Sequence, residues 1–378
     1  MINITHKLYP TIKQGQFLDN CLWSAIGIEN WAINQIKYNL DDNWFPLKYQ
    51  KPLQLRSILS KQIEGHSKKC NLPSRLINDC IGAVIDSYKR HGINKIHYKS
   101  SRKKKSFYFN GDIKISKNRL KIPGLKTTLR ISQPGVFTGK LKKCTLIKKY
   151  NGWYVSCCYD QNRTPIGIID DKEAGIDPGL STSLVFSDGN TINFPKFYQQ
   201  NQELLSKLQR KSKNSKKIKA LHNKIKNQRT DHHHKLSTDI AKSYVKIYWS
   251  NDNFNGLKKL FGKQYSNLAL GSFRDLLTNK LASRTDGFGE LIKVSAKNST
   301  KTCSSCGALS GPTGFSGLGV RQWQCISCGT EHDRDTNAAI NTLLSGKGIT
   351  TNKRNLISRL ESSMIADELS ESKSNQAH

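Results

Sequence analysis

Apolar residues change their spacing twice along this chain, and each change marks a new kind of element. Ile2 to Leu8 alternate as a short strand that stops at Tyr9-Pro10. From Gln14 to Leu40 the apolar positions Phe17, Leu18, Cys21, Leu22, Ala25, Ile28, Ala32, Ile33 and Ile36 recur three and four apart, which lays one stripe along a helix. A second helical block covers Leu53 to Ile63. Pro73-Ser74 opens a third, running through Leu76, Ile77, Cys80, Val84 and Tyr88. From Lys95 to Tyr159 the period shortens to that of strands. Short runs at Phe107–Phe109, Ile113–Ile115, Leu120–Ile122, Cys144–Ile147 and Trp153–Cys158, punctuated by Gly and Pro, predict a small antiparallel barrel or sheet. The first strand is a candidate member, with the helices as an insertion.

A new unit begins near Ala174. Gly175-Ile-Asp177-Pro-Gly179 leads into Leu184–Phe186, a turn at Asp188-Gly189 and Thr191–Phe194, a hairpin-like meander. Leu204, Leu205, Leu208, Ile218, Leu221 and Ile225 then mark two long basic helices broken near Ser212 to Ser215. Val245, Ile247 and Trp249 alternate as a strand, followed by helix Phe273–Ser283 and strand Leu291–Val294. Beyond Ser345 the tail is polar and aperiodic. Strands alternating with helices make the chain an α/β multidomain protein.

Its length of 378 residues suggests two to four domains. Charge changes the picture more: a net +33 repels itself in a compact chain unless a polyanion neutralises it, so nucleic acid is the expected partner. No apolar run approaches the roughly 20 residues that span a bilayer, and no signal-like leader is visible, so no membrane partner and a cytoplasmic, nucleoid-associated location are expected. Cysteines then start as thiols. Cys157 and Cys158 lie in a strand-like run and read as core packing.

Four cysteines are different. Cys303-Ser-Ser-Cys306 and Cys325-Ile-Ser-Cys328 are two knuckles with the spacing of a closed tetrathiolate zinc site. An iron–sulfur cluster is the competing occupant. His332 reads as a surface residue or a phosphate contact. Asp177 ends an apolar strand, Asp252 ends another, and Asp335 opens a helix just past the second knuckle. Three acids from three elements of one α/β unit are how a two-magnesium phosphodiesterase site is built, although Asp177-Pro-Gly reads equally well as a turn.

Basic runs supply the binding side. Lys99, Arg102, Lys103, Lys104 and Lys105 form one. Lys207, Arg210, Lys211, Lys213, Lys216, Lys217, Lys219, Lys224, Lys226 and Arg229 form another, opposed nearby by Glu203. A solvated face mixes signs, so these favour phosphate contact. Lys103, Lys105, Arg210 and Lys217 are the candidate nucleic-acid contacts. His232-His-His234 reads as a helix start or nucleic-acid-facing surface rather than a metal tract.

Gly-Ile-Asp177-Pro-Gly-Leu, the basic helices ending in His234-Lys-Leu-Ser237, the two knuckles and Asp333-Arg-Asp335-Thr-Asn-Ala-Ala together resemble the TnpB family, as do His6-Lys-Leu-Tyr-Pro10 and Gln14. These are transposon-encoded RNA-guided nucleases related to type V CRISPR effectors. The resemblance implies a wedge-type β-barrel (1–10 and 95–165) carrying a helical recognition lobe (11–94). It further implies an RNase H-like (RuvC) nuclease domain (166–300 and 333–345) with an inserted zinc ribbon (301–332), and a disordered tail (346–378). It also implies a guide RNA from the transposon end, a short target-adjacent motif, and magnesium-dependent cutting of double-stranded target DNA with structural zinc. Asp177 then matches the first catalytic acid and Asp335 the last. The middle acid departs: most relatives have Glu-Asp-Leu, whereas this chain has Trp249-Ser-Asn-Asp252-Asn-Phe. Asp252 aligns with the Gly-Asp of one branch, and Glu290 is the fallback. A broken triad would leave an RNA-guided repressor that binds without cutting; a transposase joining DNA ends is a third reading.

Overall fold

The computed structural model divides into two units, Met1–Arg163 and Thr164–His378. It describes residues 2–39, 47–49, 51–69, 72–132, 139–160, 165–210, 215–251, 262, 265–313 and 316–349. The tail expected to be disordered lies almost wholly outside these residues.

Strand β1 (Ile2–Tyr9) sits in the middle of the first unit's sheet. It pairs antiparallel with β7 (Gly152–Asp160) along most of its length and with β5 (Leu129–Ile131) at its end. With β2 (Ser106–Asn110), β3 (Lys114–Ser116), β4 (Arg119–Lys121) and β6 (Lys140–Lys149), the order is β2-β6-β7-β1-β5-β4-β3, every pair antiparallel. Alternation along β7 buries Trp153, Val155, Cys157 and Tyr159, as a period of two requires when one face is covered. Cys157 stands opposite Cys144, their sulfurs 3.5 Å apart and fully buried.

The cover comes from α1 (Ile12–Tyr38), α2 (Pro52–Lys69) and α3 (Ser74–His91). Thr11 starts α1 with a capping box: its hydroxyl accepts from the Gln14 amide, and the Gln14 side chain accepts from the Thr11 amide. The same Gln14 side chain donates to Thr127 and to the Thr128 carbonyl, fastening the helix start to the loop before β5. Leu18, Ile33, Leu59 and Ile81 from the helices join Phe109, Leu129 and Val155 from the sheet in one core. The helical segment and the sheet are therefore one packing unit. Lys104, grouped above with the phosphate-binding run, instead pairs with the buried Glu29 of α1.

The second unit is built on a mixed sheet of β8 (Lys172–Pro178), β9 (Leu184–Phe186), β10 (Thr191–Ile192), β11 (Tyr244–Ser250) and β12 (Glu290–Val294), ordered β10-β9-β8-β11-β12. The β8–β9–β10 meander is antiparallel; β11 runs parallel to both β8 and β12. Between β10 and β11 lie α4 (Phe197–Gln200), α5 (Gln202–Gln209) and the basic α6 (Ser215–Ser243); α7 (Leu270–Leu281) precedes β12. Ala174, Ile176, Ile247 and Trp249 pack on Ile240 and Ala241 of α6 and on Phe273 and Leu277 of α7. Arg284, its side chain sealed from solvent, locks the α6–β11 junction by donating to the carbonyls of Ala241 (2.8 Å) and Tyr244 (3.1 Å) and to the carboxylates of Asp171 and Asp286.

The opposite face of this sheet is covered by α8 (Arg334–Gly346). Two glycines permit that approach. A Cβ on Gly175 would lie 2.1 Å from the Ala339 carbonyl oxygen, and one on Gly346 would lie 2.0 Å from the Tyr248 ring. No described helix is long and apolar enough to cross a membrane.

Candidate active site and cysteine cluster

Strand alternation decides where Asp177 points. Ala174 and Ile176 face α6 and α7, so Gly175 and Asp177 share the face covered by α8. Asp177 is half-buried near the C-terminal end of β8, opposite Val185 of β9. Asp335 sits in the first turn of α8. That helix start is set by Asp333, which accepts from the Thr336 amide and hydroxyl, both at 2.8 Å, a cap worth about 1 kcal/mol.

Arg321 ties these two places together. Its Nη1 contacts both carboxylate oxygens of Asp335, at 2.9 and 3.1 Å, while its Nη2 donates to the Ser181 hydroxyl at 3.1 Å in the turn after Asp177. Asp335 and the Asp177 turn thus meet at one end of the sheet. β11 ends there too: Trp249 pairs with Ile176, and the chain leaves through the buried Ser250 and the exposed Asn251, whose amide donates to the Val294 carbonyl. Asp252 itself lies outside the described residues. Glu290, the fallback acid, is at the other end of the sheet. It pairs with Lys246, which stands beside Glu173, four residues or roughly 13 Å before Asp177. Strand direction removes it from the site.

The four cysteine sulfurs lie within 4.8 Å of one another, with Cys303–Cys328 at 3.6 Å and Cys306–Cys325 at 3.7 Å. Tetrahedral coordination at the ordinary zinc–sulfur distance needs edges of about 3.8 Å, so the cluster is shaped to hold such an ion. Burial opposes ionisation of Cys325, but the Ser310 hydroxyl and the amides of Ser327 and Cys328 bring its thiol down to about 6. The cluster is closed by the hairpin of β13 (Gln322–Gln324) and β14 (Glu331–Asp333), in which Trp323 faces His332.

His332 corrects the sequence reading. It is buried rather than on the surface, its ring 4.6 Å from Trp323 and its Nε2 3.0 Å from the Cys303 sulfur. Burial lowers its pKa, favouring a neutral ring that can donate to a thiolate. The His232–His234 run is corrected too: it lies inside α6 and not at a helix start. His233 is in the core, tilted against Phe194 and edge-on to Phe273, and burial with the neighbouring His232, Arg229 and His234 lowers its pKa to about 4. Lys103, Lys105, Arg210 and Lys217 are exposed, as are Lys216, Lys219, Lys224 and Lys226 along α6.

Residues 156–259 match a family model described as a probable transposase, and residues 271–342 match the Cas12f1-like TNB domain. In these two segments the chain is thus similar to transposase and Cas12f1-like proteins. A Streptomyces pristinaespiralis protein provisionally named RNA-guided DNA endonuclease is 31% identical over 209 residues, 51% of this chain and 50% of that one. TnpB-like protein L79 of Acanthamoeba polyphaga mimivirus is 28% identical over 46% of this chain and 37% of its own. The CRISPR-associated endodeoxyribonuclease Cas12f1 of an uncultured archaeon is 25% identical over 53% and 43%. The chain therefore spans half or less of the length of these relatives. A cryo-EM structure of the Cas12f1–sgRNA–target DNA complex superposes with a TM-score of 0.55 at 14% identity, over 88% of this chain and 83% of that one, which establishes a Cas12-like α/β fold.

The transposase match contains Asp177 and Asp252; the Cas12f1-like match contains Arg321, all four cysteines and Asp335. Three residues in the latter that shape the candidate site escaped the sequence. Arg321 had no local signal, since both its partners are distant along the chain. Asn337 and Asn341, buried on α8, both donate to the carbonyls of Ser299 and Thr302, and Asn337 accepts from the Ser304 amide. They staple the first knuckle to the helix bearing Asp335. Buried polar residues one turn apart on an otherwise Ala-rich face were the available clue.

Proposed function

We propose that this chain is an RNA-guided DNA endonuclease that cuts target DNA at a single RuvC-like site formed by Asp177, Asp252 and Asp335. Transposon association, a guide RNA from the transposon end and a short target-adjacent motif belong to the same reading. In it, residues 166–300 and 333–345 are the nuclease domain, 301–332 the zinc ribbon, 1–10 and 95–165 the wedge, and 11–94 the recognition lobe.

The observation that supports it best is the meeting of Asp335 with the turn that follows Asp177, through Arg321 and Ser181, at the C-terminal end of the central strands. Carboxylates gathered there suit hard divalent cations; magnesium so bound would supply water activation and stabilise the leaving oxygen. The protein's own work is positional. Asp333 holds the helix start, Gly175 and the Ala338-Ala339 pair let α8 lie against the sheet, and Arg321 orients the Asp335 carboxylate. Exposed lysines of α6 would hold the heteroduplex by its backbone while base pairing reads the sequence.

The test is plasmid cleavage by protein purified with its guide RNA, in magnesium. Asp177→Asn and Asp335→Asn should each lower cleavage at least a hundredfold while target binding persists. Wild-type protein that binds target and never cuts would select the repressor reading instead.

A further inference from the structure

A cavity of about 110 Å³ opens in the second unit between α4, α6 and the segment entering α7. Phe197, Tyr198, Ile225 and Leu268 make its apolar wall; Lys196 and Arg229 bring charge. It continues past Tyr198 and Arg229 into a wider pocket of about 540 Å³, where His222 and Lys226 join the lining. No acidic residue lines either cavity among the described residues. One wall is Leu180, in the turn that joins Asp177 to Ser181, so the cavity opens at the same end of the sheet as the candidate active site.

Core gaps in a helical unit are lined by aliphatic groups. This one combines two half-buried aromatics with a half-buried guanidinium that spends one N–H on the Asn267 carbonyl (2.9 Å), and its mouth is basic. A flat apolar ring attached to an anion satisfies all of these groups at once.

We propose that this cavity takes one unstacked nucleotide of the single-stranded DNA led to the Asp177 end of the sheet, its base against Tyr198 and Phe197 and its phosphate at Arg229 and Lys196. The inference rests on the nuclease reading for the identity of the strand, and on Leu180 for its nearness to the acids. Holding a base there would fix the strand's register against the carboxylates.

The experiment uses full-length protein with its guide RNA, without magnesium, and single-stranded DNA oligonucleotides carrying 2-aminopurine at successive positions. One position should be quenched on binding. Tyr198→Ala should abolish that quenching and weaken binding about tenfold, the usual size of one aromatic stack. Tyr198→Phe should restore both, and circular dichroism reports whether the alanine variant is folded. Lys196→Ala should reduce the salt slope of binding by about one phosphate. Uniform quenching, or a quenched position unchanged in folded Tyr198→Ala, overturns the pocket. Quenching with ribo-oligonucleotides alone overturns its assignment to DNA. Cleavage is scored separately in magnesium: a protein that cuts but shows no quenched position sinks this inference alone, and one that shows the position without cutting sinks only the nuclease reading.

Discussion

Arg321 grips Asp335 through both carboxylate oxygens, so one candidate metal ligand is already neutralised by a side chain from the cysteine hairpin. Arg321 is about half exposed, which limits such a pair to roughly 1 kcal/mol. Arg321→Ala should therefore lower the magnesium concentration for half-maximal cleavage by up to about fivefold. Titrating magnesium, with maximal rate analysed apart from half-saturation, measures it.

Gly175→Ala should do more damage than any neighbouring small-to-small change. The new methyl would meet the α8 backbone at 2.1 Å, and neither helix nor strand can yield without moving Asp335 away from the Asp177 turn. A loss of several degrees in melting temperature together with loss of cleavage is expected. Gly189→Ala, at an open turn, should retain cleavage, its cost confined to the positive φ of that residue.

Zinc retention should depend on His332. Replacing it with Phe keeps the stack on Trp323 and removes the donor to Cys303; partners of this kind typically change metal affinity by 10–100-fold. Competition with a chromogenic chelator reads the change. Cys306→Ser should lose the ion outright, and undiminished zinc in that variant would contradict the four-thiolate assignment.

Acid should loosen the second unit in a defined window. His233 titrates in the folded chain near 4, below the ordinary value of 6.5, so the unfolded chain takes up the proton first. Stability is complete above pH 6.5 and falls as the pH drops toward 4, by roughly 3 kcal/mol. Burial lowers the His232 pKa as well, adding in the same direction. Denaturant midpoints at pH 7 and pH 4.5 should differ, and His233→Phe should shrink the difference.

Features written in a few adjacent residues were legible in the sequence. The knuckles, the apolar stripe of α1 and the alternation of β7 are local patterns with local causes, whereas the Thr11 cap of α1 emerged only with the structure. β11 was harder: Val245, Ile247 and Trp249 promised one buried face, yet Tyr248 is buried as well because Gly346 of α8 comes down on it. A strand covered on both sides loses its alternation. Glu290 looked usable until strand direction put it at the wrong end. His332 and Arg321 owe their roles to partners folded against them from elsewhere, and no spacing rule reaches that far. Asp252 remains the residue whose place rests on sequence alone.

The strand that closes the cysteine hairpin ends at Asp333, and the helix carrying Asp335 starts at the next residue. There is no slack between the two. If the thiolates let go of their ion, the recoil passes straight to the carboxylate, with the Asn337 and Asn341 staples as the other route. On the nuclease reading proposed above, metal starvation would then silence cutting while the acids themselves stayed intact, and the thiol knot would be a governor on the blade as well as a fastener.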